Sequence, residues 1–175
     1  EFTVHLRIPD WCNEWRLQVN GELVADAQPV NGYVAVTRRW KAGDHIELSL
    51  AMPVQTVWAH PAVRQLQGRL AIQRGPIVYC LEGVDNPTVQ NLDRITLSEA
   101  QVHNMEIEYH PELLGGVTVL RGQGGMIAAD GWNATTLYRN NRPPATEPVA
   151  LTAVPYCVWD NRTAGEMRVW FRMNN

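Results

Sequence analysis

A chain of 175 residues can bury one sizeable core or two small ones, since typical domains hold about 100 to 150 residues. Charged residues make up 19% with both signs interspersed, and a net charge of −3 gives no field favouring nucleic acid or an anionic membrane. No uncharged stretch approaches the roughly 18 residues that span a bilayer, so a soluble chain is expected, with neither nucleic acid nor membrane as partner.

The first run, Phe2-Thr3-Val4-His5-Leu6-Arg7-Ile8, alternates apolar and polar residues with the period of a half-buried strand. It starts abruptly, with no leader and no methionine, as an excised piece of a longer protein is expected to start. Arg16 to Val24 reads as strand, turn, strand around Asn20-Gly21, a dipeptide that tolerates the positive φ angles of a tight hairpin. Gly32 to Arg38 is a further strand. Lys41-Ala42-Gly43-Asp44 is a turn, and His45 to Leu50 turns Ile46, Leu48 and Leu50 inward. Short strands with turn signals at regular intervals are the signature of a sandwich.

Met52-Pro53 to His60-Pro61 carries prolines at both ends and is expected to cross between two layers or domains. Beyond it, Arg69 to Glu82 is two β-rich runs joined at Gly75-Pro76, where a bend or bulge is expected because proline cannot donate to a sheet ladder. The second run is apolar on both faces, as a covered central strand would be. Residues 85–98 read as loop and Gly122-Gln123-Gly124-Gly125 as a turn, while Met105 to Tyr109, Val117 to Leu120, Ala150 to Trp159 and Arg168 to Arg172 read as strands. No segment sustains a helical period for three turns. The predicted fold is all-β: an antiparallel, jelly-roll-like β-sandwich in two packed lobes, residues 1–60 and 61–175.

Three cysteines, Cys12, Cys80 and Cys157, are an odd and widely spaced number, which argues for free thiols and a reducing, cytoplasmic setting. Cys80 and Cys157 lie in apolar runs and are expected in the core. His5, His45, His60, His103 and His110 lack the close spacing of metal ligands, so no metal site is predicted. Glu106 and Glu108 share a strand face near the separation of glycosidase carboxylates, but any solvent-facing strand shows that pattern. No catalytic or cofactor-binding residue is assigned. Seven tryptophans are the unusual feature. Trp40, Trp159 and Trp170 sit in strand-like runs and are expected to be buried. Trp11, Trp15 and Trp132 sit beside loop formers and are the candidates for an interface or for stacking sugar rings.

Several motifs together carry a family likeness: Leu6-Arg7-Ile8-Pro9-Asp10-Trp11-Cys12, Val19-Asn20-Gly21, Gly32-Tyr33, Arg39-Trp40, Gly43-Asp44, Arg74 to Glu82, Val154 to Arg162, and Met167 to Trp170. In this order they resemble the C-terminal part of the β-L-arabinofuranosidases of glycoside hydrolase family 127. The resemblance implies an upstream (α/α)6 catalytic barrel, absent from this chain, that cleaves terminal β-L-arabinofuranose with retention. It also implies a cysteine nucleophile and a zinc ion, both in that barrel, with no cofactor in this chain. The role implied here is non-catalytic: support of the catalytic domain and of a homo-oligomer, with a carbohydrate-binding module using loop tryptophans as the alternative. Within the motifs, Asn161-Arg162 is expected to cap a turn, with the guanidinium holding backbone carbonyls.

Overall fold

The early alternating runs become five short strands: β1 (Phe2–Arg7), β2 (Trp15–Val19), β3 (Glu22–Leu23), β4 (Tyr33–Arg38) and β5 (Ile46–Leu50). The structure, a computed structural model, describes residues 1–129, 132, 135, 137, 138, 140 and 144–174. It divides into two units, Glu1–Pro53 and Val54–Asn175. In the first, β1 pairs with β4 from Phe2↔Arg38 to Arg7↔Tyr33, and β2 lies between β3 and β5, all antiparallel. Asn20 and Gly21 hold φ at 54° and 83°, the left-handed pair that a type I′ hairpin needs. Both sheets feed one apolar cluster. Ile8, Leu17 and Val34 are buried in it, and Leu6, Trp15, Val36, Ile46, Leu48 and Leu50 pack against them. Removing a side chain such as Leu17 from water is worth about 1.5–3 kcal/mol.

The second unit holds β6 (Val54–Trp58), β7 (Arg69–Arg74), β8 (Ile77–Glu82), β9 (Ile95–Leu97), α1 (Glu99–His103), β10 (Glu106–His110), β11 (Val117–Ile127), β12 (Thr146–Pro155), β13 (Met167–Arg168) and β14 (Trp170–Met173). Hydrogen bonding runs β7, β8, β12, β11, β9, β14 and back to β7, a closed ring of six strands. Five of its pairings are antiparallel, and β14 pairs with β9 in parallel, Arg172↔Thr96 and Met173↔Leu97. β6, β10 and β13 add to β7, β11 and β8 outside the ring. The interior is filled from every ring strand, by Leu70, Ile72, Tyr79, Leu81, Ile95, Leu97, Leu120, Leu151, Ala153 and Phe171.

This overturns the expected antiparallel, jelly-roll-like sandwich: the sheet is mixed, and it closes on itself as a barrel. Alternation reports which face of a strand is buried and has the same period in a sandwich and a barrel, so it carries no record of which edges meet. Closure here depends on the last strand, β14, entering between β7 and β9, which lie far from it in sequence.

Local expectations change with it. The run from Met52-Pro53 to His60-Pro61, expected to cross between two layers or domains, contains the boundary between the two units after Pro53, and its Val54–Trp58 is itself a strand on β7. Gly75-Pro76 does not bend one strand but reverses the chain between two, with Arg74 opposite Ile77. Gly75 has φ 56° while the proline ring holds Pro76 near −65°, which makes this a type II′ turn. Residues 85–98 include β9, buried at all three positions, and the capping box in which Ser98 and Gln101 start α1. Gly122 to Gly125 is no turn but the middle of the eleven-residue β11. A Cβ on Gly124 would stand 2.5 Å from Cδ1 of Leu151, so glycine marks a close approach of neighbours to the strand.

Candidate functional site

β8 and β12 pair antiparallel over their last residues, Ala153 opposite Leu81 and Pro155 opposite Tyr79, so the turns that follow the two strands start near each other. After β8 the chain turns through residues 82–86, and Asn86, fully buried, fastens that turn. Its Nδ2 donates to the carbonyls of Glu82 (2.8 Å) and Thr152 (2.9 Å), and its Oδ1 accepts from Thr152 N–H (2.9 Å). After β12, Pro155 leads into a single 3-10 turn over Tyr156–Val158. Asn161 Nδ2 closes the following turn by donating to the carbonyls of Val158 (3.0 Å) and Trp159 (3.2 Å), and Asp160 adopts a left-handed φ of 61°.

Arg162 joins the two ends. Its Nη1 and Nη2 donate to the two carboxylate oxygens of Asp85, both at 2.6 Å, and Nη2 also reaches Oε2 of Glu82 at 3.0 Å. The guanidinium therefore holds carboxylates, not the backbone carbonyls expected. Asp85, with Glu82 behind it, raises the Arg162 pKa above its ordinary value, so the fork stays charged. Glu82 is 4% exposed, and its Oε1 has no hydrogen-bond partner among the described residues. Beside this cluster, Gly83 N–H donates to the Glu166 carbonyl, the Glu166 carboxylate accepts from Leu92 N–H at 2.8 Å, and Arg168 grips Asp93 at 2.7 and 2.6 Å.

On this base stands an aromatic ledge. The rings of Tyr156 and Trp159 lie nearly parallel, 9° apart with centroids 5.9 Å apart, and both are exposed. Trp159 was expected in the core; Pro155 ends β12 three residues earlier, so the strand does not carry it inward. Cys157 is likewise exposed rather than buried. The spacing Pro155-Tyr156-Cys157-Val158-Trp159 with Asn161 behind it was the available signal, a proline-terminated strand followed by a capped turn.

The three tryptophans singled out from sequence lie elsewhere. Trp11 is half-buried in the turn after Ile8. Trp15 is the first residue of β2, opposite Leu50, and packs partly buried on the first unit's core. Trp132, half-buried, belongs to the second unit, and its backbone N–H donates to the Ala129 carbonyl.

Hydrolytic chemistry finds little to use among the described residues. Cys80 is fully buried on the outer face of β8 under Val117, Val119 and Val154, and burial, reinforced by Glu82 and Asp85, pushes its pKa up to about 12. Glu108 is ion-paired with Arg121 (3.2 Å) and hydrogen-bonded to His110 (3.0 Å). Among the described residues no three His, Cys, Asp or Glu side chains stand close enough to hold a metal ion.

Residues 54–172 match the profile described as the glycoside hydrolase family 127 C-terminal domain, and residues 1–52 match the β-L-arabinofuranosidase, GH127 middle domain. The chain belongs to glycoside hydrolase family 127. It is 37% identical over 174 residues to a non-reducing end β-L-arabinofuranosidase of Bifidobacterium longum subsp. longum, covering 95% of this chain and 25% of that protein. The crystal structure of a family 127 β-L-arabinofuranosidase from Geobacillus stearothermophilus is similar over 99% of this chain and 26% of its own, with a TM-score of 0.90 and 41% identity. A further family 127 β-arabinofuranosidase shows a TM-score of 0.82 and 31% identity over 99% of this chain and 28% of its own. The chain thus spans about a quarter of the length of these relatives.

Proposed function

We propose that this chain is the non-catalytic C-terminal part of a β-L-arabinofuranosidase-like glycoside hydrolase, where it supports the catalytic barrel and the assembly of the enzyme. The observation that carries the reading is the match of 99% of this chain to 26% of an arabinofuranosidase chain, which leaves the greater part of such an enzyme to other sequence. The state of the side chains supports it. Retaining hydrolysis needs an activated nucleophile and an acid within reach of one sugar. Here the buried thiol of Cys80 is held protonated, and the carboxylates of Glu82 and Asp85 are engaged by Arg162. Zinc in this reading belongs to the catalytic domain. A cytoplasmic setting is part of the same proposal, supported by three unpaired cysteines, Cys12, Cys80 and Cys157. No described helix is long and apolar enough to cross a membrane.

The test is hydrolysis of a β-L-arabinofuranoside by the purified 175-residue chain, with and without zinc. No turnover is expected. Turnover that Cys80→Ser abolishes would overturn the reading. Saturable quenching of tryptophan fluorescence by arabinose-containing oligosaccharides, lost in Trp11→Ala, Trp15→Ala or Trp132→Ala, would instead identify a carbohydrate-binding module.

A further inference from the structure

Around the end of β12, three apolar side chains leave much of their surface in water: Val84 (42%), Tyr156 (43%) and Trp159 (40%). The turns that carry Val84 and Trp159 are tied down. Asn161 pins the turn that carries Trp159, Arg162 ties that turn to Asp85 and Glu82, and Val84 sits in the turn that Asn86 fastens. Ordering exposed aromatic rings costs conformational entropy, and the barrel core, which is complete without them, gains nothing from it. A ledge held rigid in this way is a contact surface prepared before its partner arrives.

Beneath the ledge is a small, partly open cavity with room for a single small group, lined among others by Glu82, Val84, Trp159, Asp160, Thr163 and Glu166. Glu82 has its Oε1 buried and unpartnered among the described residues. A buried carboxylate oxygen without a donor is costly, so a donor is expected there. The rim is acidic: Asp160 and Glu166 are exposed, and Arg162 offsets only part of the charge of Glu82 and Asp85.

We propose that this ledge, with its cavity and acidic rim, is the docking surface for the catalytic domain of the same enzyme, whose contacting face offers an apolar patch, basic side chains and one hydrogen-bond donor to the cavity. The proposal rests on the functional reading above and names the surface through which that reading acts. Two observations select this occupant. The relatives contain about three times as much sequence outside the region matched here, which supplies a partner of the right size within one chain. A second copy fits poorly, because a two-fold contact sets a patch against itself and would oppose the two acidic rims.

Hydroxyl-radical footprinting of the full-length enzyme and of the 175-residue chain, read by mass spectrometry at Trp159, tests it. Oxidation of Trp159 is expected to be at least 5-fold slower in the full-length enzyme. The double variant Asp160→Asn, Glu166→Gln removes the two rim charges, while asparagine tolerates the left-handed φ at position 160 and glutamine can still accept from Leu92 N–H, and it is expected to return part of that rate. Equal oxidation in both proteins would overturn the proposal. So would protection that appears in the isolated chain as its concentration rises, which would mark a second copy as the occupant. A full-length protein that cleaves no arabinofuranoside would sink the functional reading, while the Trp159 footprint would still decide the docking surface by itself.

Discussion

Arg162 and Asp85, 77 residues apart, meet as a two-point ion pair with both N···O distances at 2.6 Å. The pair joins the turn after β8 to the turn after β12, and it also neutralises part of the charge of the nearly fully buried Glu82. Removing the guanidinium leaves two carboxylates without their cation. Breaking a buried pair from one side costs roughly 3–5 kcal/mol, because the remaining charge is uncompensated. Arg162→Ala is therefore expected to lower stability by about that amount in urea unfolding. Arg162→Lys should recover less than half, since an ammonium cannot reproduce the fork. A loss under about 1 kcal/mol for Arg162→Ala would show that the cluster contributes little to stability.

Asp93 gives the second unit a pH dependence of known sign. The hydrogen bonds from Arg168 hold its carboxyl below the ordinary carboxylate range. A group whose folded pKa is depressed contributes stability that is present above its unfolded pKa, about 3.9, and lost as pH falls through the folded value. The pair is exposed to solvent, so its contribution is small and salt-sensitive. Wild type is expected to be more stable than Asp93→Asn at about pH 6, with the difference closing as pH falls below about 4. A difference unchanged across that range would place the effect of the substitution somewhere other than the charge.

The first unit was largely legible because its signals are local. Asn20-Gly21 specifies its own turn by tolerating positive φ, and the inward set Ile46, Leu48 and Leu50 follows from a period of two. The barrel was not legible, because what defines it is the pairing of Arg172 with Thr96, and no local pattern encodes that contact. Gly122 to Gly125 misled for a physical reason: glycine serves turns and close approaches alike, and only the positions of Leu151 and Met105 show which applies. The ledge was half legible. Pro155 and Asn161 announce an ended strand and a capped turn, but the partners of Arg162 lie too far back in the chain to be read.

The thiols separate by accessibility. Cys157 is exposed in the turn between Tyr156 and Val158, whereas Cys12 and Cys80 are buried. Cys12 Sγ also donates to the Glu14 carbonyl at 3.1 Å, which ties it into the turn before β2. Attack on a disulfide reagent requires the thiolate, and for Cys80 that form is suppressed both by burial and by the carboxylates of Glu82 and Asp85. An aromatic disulfide reagent at about pH 8 is therefore expected to modify one thiol per folded chain quickly and the other two only on unfolding. Cys157→Ser should remove the fast phase and leave urea unfolding unchanged, because the residue supports no core cluster. Arg162→Ala should in addition speed the modification of Cys80, since loosening the cluster at the end of β8 frees the strand that carries it. A fast phase that survives in Cys157→Ser would mean that another thiol is open to solvent. A Cys80 rate indifferent to Arg162→Ala would mean that the ion cluster does not hold that end of the barrel closed.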